Sequence, residues 1–307
     1  MKELWVEKYR PKTIDGYVFR DSHQRKQVET WIKDSSIPHL LLSGNAGIGK
    51  TTLAKILINE LGIEDYDVLE INASRTNSVD DVRDKITNFV QMIPFGPFKV
   101  VLLDEADYLS PNAQAALRGV MEEYHATARF ILTCNYPNRI IPAIHSRCQG
   151  FHVERTDLTE FTARVATILV DEMVDFDLET LDSYVKVTYP DLRKCINLVQ
   201  QNVNEDKLNP PNKGDQGEAD WKFDMVELFN AGKITEARKL LCGKIRAEEM
   251  EEVYRWLYDN LSIFGSEDNQ DKAILMIKQG LVDHTICADA EINLAATLVK
   301  LSKLNVK

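Results

Sequence analysis

The first 153 residues alternate short apolar runs with stretches of helical periodicity, a pattern that predicts parallel strands separated by helices. Five runs read as strands: 39–43, 68–71, 100–103, 130–133 and 150–153. Val100-Val101-Leu102-Leu103 is apolar at four consecutive positions, which predicts a central strand covered on both faces. Beyond Val153 the pattern turns wholly helical. Thr156 is placed to cap a helix running to about Met173, 178–187 reads as a second, and Pro190 takes the first-turn position favoured by proline in a third. Residues 202–220 carry almost no apolar side chains and contain Asn209-Pro210-Pro211-Asn212-Lys213-Gly214, the signature of a linker. From Trp221 to Lys307 the periodicity is helical again, with Ile274, Ile277, Leu281, Ile292, Leu294, Ala295, Leu298 and Leu301 at apolar positions.

Composition narrows this picture. With 44% hydrophobic residues, a chain of 307 buries a substantial core without disulfides or metals, and only 14 Gly and 10 Pro favour a helix-rich protein. Cys134, Cys148, Cys195, Cys242 and Cys287 form no CxxC pair, so neither a structural zinc nor a disulfide framework is indicated. No apolar run reaches the ~18 residues that cross a bilayer, and Met1-Lys2-Glu3-Leu4-Trp5 lacks the apolar stretch of a signal peptide. The expectation is a soluble intracellular protein, cytoplasmic if prokaryotic or phage-encoded. Lys and Arg number 37 against 48 Asp and Glu, a formal charge of −11. That excludes a surface coated with phosphate-binding charge, so any nucleic-acid role rests on local basic residues and on several copies acting together.

The chemistry centres on Gly44-Asn45-Ala46-Gly47-Ile48-Gly49-Lys50-Thr51, which matches G-x-x-x-x-G-K-[ST] and runs on through Thr52 into a helical pattern. Glycines let successive N–H groups point at an anion, and the helix behind adds its positive end. Lys50 is placed to reach the β- and γ-phosphates of ATP, and Thr51 to ligate Mg2+. Asp104, at the end of the apolar run, is the second candidate for the Mg2+ shell. Glu105, pointing elsewhere because neighbouring strand residues diverge, is the candidate catalytic base. Two adjacent acids after a strand are otherwise a solvated turn, and Asp104-Glu105-Ala106-Asp107 also occurs in RNA helicases, which are far longer and built from two sheet domains.

With these motifs in place the chain resembles the small subunits of replication-factor-C-type sliding-clamp loaders in the AAA+ superfamily. The likeness extends to the large-copy loader subunit of T4-like phages and is strongest from Leu4 to about Val203. The resemblance implies an α/β fold: an AAA+ phosphate-loop parallel-sheet domain (1–154), a three-helix lid (155–204), a linker (205–220) and an all-helical collar (221–307) that joins subunits. Trp5-Val6-Glu7-Lys8-Tyr9-Arg10-Pro11-Lys12 is similar to the family's N-terminal box, which assigns Val6, Arg10 and Val18 to the adenine side. Asn135 matches the sensor that bonds the attacking water or γ-phosphate. Ser146-Arg147-Cys148 matches the signature whose arginine enters the neighbouring subunit's nucleotide site in trans. Pro190-Asp191-Leu192-Arg193-Lys194 resembles the second sensor, with Arg193 turned to the γ-phosphate of its own subunit.

The same resemblance implies ATP hydrolysis coupled to placing a sliding clamp on primer–template DNA, within a ring-like, pentameric assembly of copies or paralogues. Segment 72–85 matches a DNA-contacting element; Arg83 is the first candidate, with Arg75 and Lys85 next, although a solvated mixed-charge helix is the alternative. In Asn112-Ala113-Gln114-Ala115-Ala116-Leu117-Arg118-Gly119 the family usually has two successive arginines; here Arg118 and the DNA-responsive Gln114 stand, and Gly119 replaces the second arginine. Met92-Ile93-Pro94-Phe95-Gly96-Pro97-Phe98 is apolar enough either to dock a clamp or to be buried under the chain's own helices. The competing functions are another DNA-associated AAA+ motor, such as a branch-migration helicase or helicase loader, and a non-hydrolysing subunit of a loader.

Overall fold

The computed structural model describes residues 3–75, 79–153, 156–210, 228, 233–244 and 250–304. The expected boundary at 154–155 and linker residues 211–220 lie outside these, as do 76–78 of the expected DNA element. The chain divides into two compact units, Met1–Leu208 and Asn209–Lys307.

In the first unit five parallel strands form one sheet in the order β2-β3-β4-β1-β5: β1 Leu40–Ser43, β2 Val68–Asn72, β3 Lys99–Asp104, β4 Ala128–Cys134 and β5 Gln149–His152. Register places Leu40 beside Ile131 of β4 and Gln149 of β5. Alternation along each strand sends Leu40, Leu42, Val100, Leu102 and Ile131 to one face and Leu41, Val101, Leu103, Phe130 and Leu132 to the other. Helices α1 Trp5–Lys8 and α2 Ser22–Lys33 precede β1, and α3 Lys50–Glu60, α4 Val79–Gln91, α5 Pro111–Glu123 and α6 Pro142–His145 separate the successive strands. The first face packs on α2 and α3, through Val28, Trp31, Leu53 and Leu57; the second packs on α4 and α5, through Ile86, Val90, Leu117 and Met121. The buried run 100–103 thus lies in an interior strand, between β2 and β4.

The three lid helices are α7 Leu158–Asp171, α8 Leu178–Thr188 and α9 Leu192–Gln201. Each starts at an aspartate whose carboxylate accepts from backbone N–H groups one turn in: Asp157 from Thr159 and Glu160, Asp177 from Thr180, Asp191 from Lys194. Two sequence expectations shift accordingly. Asp157, rather than Thr156, caps α7, because a carboxylate accepts two N–H bonds while the Thr156 hydroxyl is buried elsewhere. Pro190 precedes the cap rather than occupying the first turn of α9, because Asp191 takes the capping position. Residues 205–208, counted with the linker, complete a hairpin between Val203–Asn204 and Lys207–Leu208.

The second unit is helical where described: Ile234–Lys244, Met250–Asp259, Glu267–His284 and Ala290–Ser302 enclose Ala237, Leu241, Val253, Leu257, Ile277, Leu294, Leu298 and Leu301. Leu281 and Ile292, read as apolar-face positions, are exposed instead, as are Leu275 and Ile286. A polar knot fixes the interior: Asn293 donates to the Tyr254 hydroxyl (2.7 Å) and Gly280 O (2.8 Å). Among the described residues no helix is long and apolar enough to cross a membrane.

Candidate functional site

The phosphate loop connects β1 to α3. Gly44 and Gly47 have φ of +147° and +75°, and an added Cβ would meet Val153 O at 2.0 Å and Asp191 Oδ1 at 1.9 Å. Only glycine fits either position. Lys50 opens α3 and is only 8% exposed. Its Nζ donates to Gly44 O (2.8 Å), Asn45 O (2.6 Å) and Asn135 Oδ1 (2.8 Å). Burial pushes its ammonium down to about 8. Asn135, just past β4, is thereby held against the loop 85 residues upstream.

Thr51 Oγ1 donates to Asp104 Oδ1 (2.7 Å), and Thr133 Oγ1 donates to the same oxygen (2.6 Å). Thr133 Oγ1 also accepts from Glu105 N (3.0 Å). The strand ends at Asp104, and Glu105 takes φ +57°, in the left-handed region. Its separate direction therefore comes from a turn, not from strand alternation as the sequence suggested. A non-glycine residue held there stores backbone strain, a recurrent feature of functional sites. Asp107 is buried and accepts from Asn135 N (3.2 Å) and Tyr136 N (3.1 Å), fixing the segment that carries Asn135. Neither Thr133 nor Asp107 was expected at the site; both act on neighbours that only tertiary pairing reveals.

A cavity opens beside the loop. Val6, Arg10 and Val18 line one side, Ile48 and Thr52 the floor, and Thr156, Arg164, Leu192 and Arg193 the lid side. The Arg10 guanidinium itself is turned to Glu7 Oε1 (2.7 Å). Tyr17 and Thr156 also line the cavity, and their hydroxyl oxygens are buried with no hydrogen-bond partner among the described residues. Arg164, which sequence reading missed, donates to Tyr9 O (2.8 Å) across 155 residues and ties α7 to the N-terminal segment. Two orphaned hydroxyls, a glycine cradle that side chains would fill, and the hard oxygens of Thr51 and Asp104 make a set of groups that fits a nucleoside triphosphate with its magnesium.

Asp191 joins lid and loop. It caps α9, abuts the Gly47 backbone, and burial raises its carboxyl pKa against the opposing pull of Lys194 and Arg193. Arg193, two residues on, is exposed at the cavity rim. Arg147 lies elsewhere. Its Nη1 donates to Ala143 O (2.7 Å), its Nη2 donates to the Glu122 carboxylate, and it does not line the cavity.

Arg75, Arg83, Lys85 and Arg118 are all exposed. Gln114 is buried and bridges three backbone groups: it donates to Leu109 O (3.0 Å) and Arg139 O (3.0 Å) and accepts from Ile141 N (2.8 Å). In segment 92–98, Met92, Ile93 and Phe95 are exposed, while Phe98 is buried. Asp67 holds this turn by accepting from Phe95 N (2.9 Å), Gly96 N (2.7 Å) and buried Lys99 (3.1 Å). Burial alone would raise the Asp67 carboxyl pKa; the Gly96 N–H, Lys99 and the Phe95 N–H together hold it below the ordinary range.

The family model for the ATPase family associated with various cellular activities (AAA) matches residues 40–155, from β1 to just past β5. The nucleotide-binding part is therefore that of an AAA ATPase. A replication factor C small subunit from Sulfurisphaera tokodaii is 35% identical over 97% of this chain and 95% of its own length. The corresponding proteins of Saccharolobus solfataricus (33%, covering 97% and 94%) and Methanococcus vannielii (37%, covering 78% and 79%) are similarly related. The chain belongs to the replication factor C small-subunit family. It is accordingly an ATP-binding ATPase subunit of a clamp-loader complex in DNA replication. Among solved structures, a Thermotoga maritima RuvB Holliday junction branch migration motor covers 80% of each chain with a TM-score of 0.55. At 18% identity that likeness is one of fold alone.

Proposed function

We propose that ATP hydrolysis at this site is completed only between subunits. The base occupies the cavity beside Val6, Arg10 and Val18, while the triphosphate lies along the loop from Gly44 to Thr52. Lys50 leaves the loop carbonyls for the β- and γ-phosphate oxygens. Thr51 and Asp104 hold Mg2+, which when bound supplies charge neutralisation between the phosphates. Glu105 takes the proton from the attacking water, Asn135 orients that water, and Arg193 reaches the γ-phosphate from the lid. Arg147 of a neighbouring subunit supplies the last positive charge at the transferring group.

The observation that carries this reading is a division within one chain: the loop, Asp104 and Asn135 are bonded into one network, whereas Arg147 is bonded outside it. The reading keeps four functional parts, with the hairpin at 203–208 added to the lid: sheet domain 1–154, lid 155–208, linker 209–220 and collar 221–307. Exposed Leu275, Ile286 and Ile292 support subunit association through the collar in a ring-like, pentameric assembly. Arg83, Arg75, Lys85 and Arg118 contact phosphates of primer–template DNA, a few per subunit, which accommodates a net charge of −11. The exposed Met92, Ile93 and Phe95 dock the sliding clamp. The test is ATP turnover by the assembled subunit with and without primed DNA and clamp. Stimulation by both ligands is expected; full turnover by the isolated monomer, indifferent to either, overturns the proposal.

A further inference from the structure

The last turn of α5 contains Glu122 and Glu123 and no basic residue, although negative charge is unfavourable at a helix C-terminus. Glu122 stands between two guanidinium groups. One carboxylate oxygen, Oε1, accepts from Arg147 Nη2 and also lies 3.8 Å from Arg118 Nε, one turn back on the same helix. Arg147 is meanwhile anchored through Nη1 to Ala143 O (2.7 Å) and Ser146 Oγ (3.2 Å). The backbone carbonyl fixes one arm of the fork and Glu122 the other, leaving the remaining N–H groups for an incoming anion. A planar guanidinium held at two points loses less rotational freedom when it meets a phosphate than a swinging one.

We propose that Glu122 is a positioning residue for the trans-acting arginine, and that competition from Arg118 for the same oxygen links that positioning to DNA. A phosphate engaging Arg118 removes the competitor, so that Glu122 serves Arg147 alone. The inference rests on the reading of Arg147 as the group that completes a neighbour's site.

The experiment measures steady-state ATP turnover in the assembled complex containing the full-length chain. At saturating primed DNA, Glu122→Gln is expected to lower kcat about two- to fivefold, the range of one exposed ion pair, with KM for ATP unchanged and Glu122→Asp recovering part of the loss. Without DNA, Arg118→Ala is expected to raise kcat by a similar factor when Glu122 is present and to have no effect in the Glu122→Gln background. An unchanged or increased kcat in Glu122→Gln, with Arg147→Ala inactive, overturns the inference and leaves the trans reading intact. An equal effect of Arg118→Ala in both backgrounds overturns the competition. Full turnover in Arg147→Ala instead removes the trans reading itself.

Discussion

The phosphate loop and the edge carrying Arg147 handle positive charge in opposite ways. Lys50 is buried, bonded to three uncharged oxygens, and its ammonium is destabilised by desolvation until a polyanion arrives. Arg147 is part-exposed, paired with a carboxylate, and mounted behind the four-residue helix α6. A buried lysine is prepared for a ligand that enters its own chain. A surface arginine, always charged and with donors to spare, is suited to a ligand held by another molecule. On the proposed reading, one face of the polypeptide binds the nucleotide and positions the water, and another supplies the arginine that completes a neighbour's site.

Substitutions at each face sharpen that contrast. Arg147→Ala should leave ATP affinity within about twofold while lowering turnover of the assembled complex by about a thousandfold or more; a nucleotide titration alongside a phosphate-release assay separates the two. Lost affinity with intact turnover per bound nucleotide would erase the distinction. Lys50→Ala should show the reverse emphasis, with affinity falling about 10- to 100-fold as charge-assisted bonds to phosphate are lost. In mixed assemblies, a Lys50→Ala subunit should still support hydrolysis by its neighbour through its own Arg147.

Gly47→Ala forces a side chain into left-handed backbone and against the Asp191 carboxylate, costing about 1–3 kcal/mol. The expected readout is a lower thermal midpoint with weakened ATP binding, and adding Asp191→Ala should recover part but not all of it. The smallest effect concerns protons. Because burial lowers the Lys50 pKa to about 8 and a triphosphate favours its charged form, ATP binding should take up protons above pH 8, roughly half of one at pH 8 itself. Affinity should therefore fall as pH rises through that value. Calorimetry in two buffers of different ionisation enthalpy measures the uptake, and Lys50→Arg should abolish it.

The sheet was legible because each apolar run matched a strand, with ends displaced by no more than two residues, and because a strand covered on both faces reads as a near-continuous apolar run. The loop and Asp104 could be named from local spacing, and Asn135 from the family resemblance. What stayed hidden depended on partners distant in sequence. Thr133 joins Asp104 to Glu105 only because β3 and β4 are neighbours. Arg164 and Tyr17 reach the cavity from separate elements, and the pairing of Glu122 with Arg147 spans 25 residues. The turn at Glu105 escaped because a left-handed glutamate has no signal in composition: surrounding bonds impose it.

The N-terminal segment carries one more consequence. Gln200 of α9 accepts from Trp5 N (3.0 Å) and donates to Glu3 O (2.8 Å), Lys8 bonds Glu172 (2.6 Å), and Arg164 holds Tyr9 O. Residues 3–9 are therefore tied to the lid although they precede the sheet in sequence. A fluorophore attached near Leu4 should report any movement of the lid rather than of the sheet, and a bulky affinity tag fused there would press on the bonds that join this segment to α7 and α9.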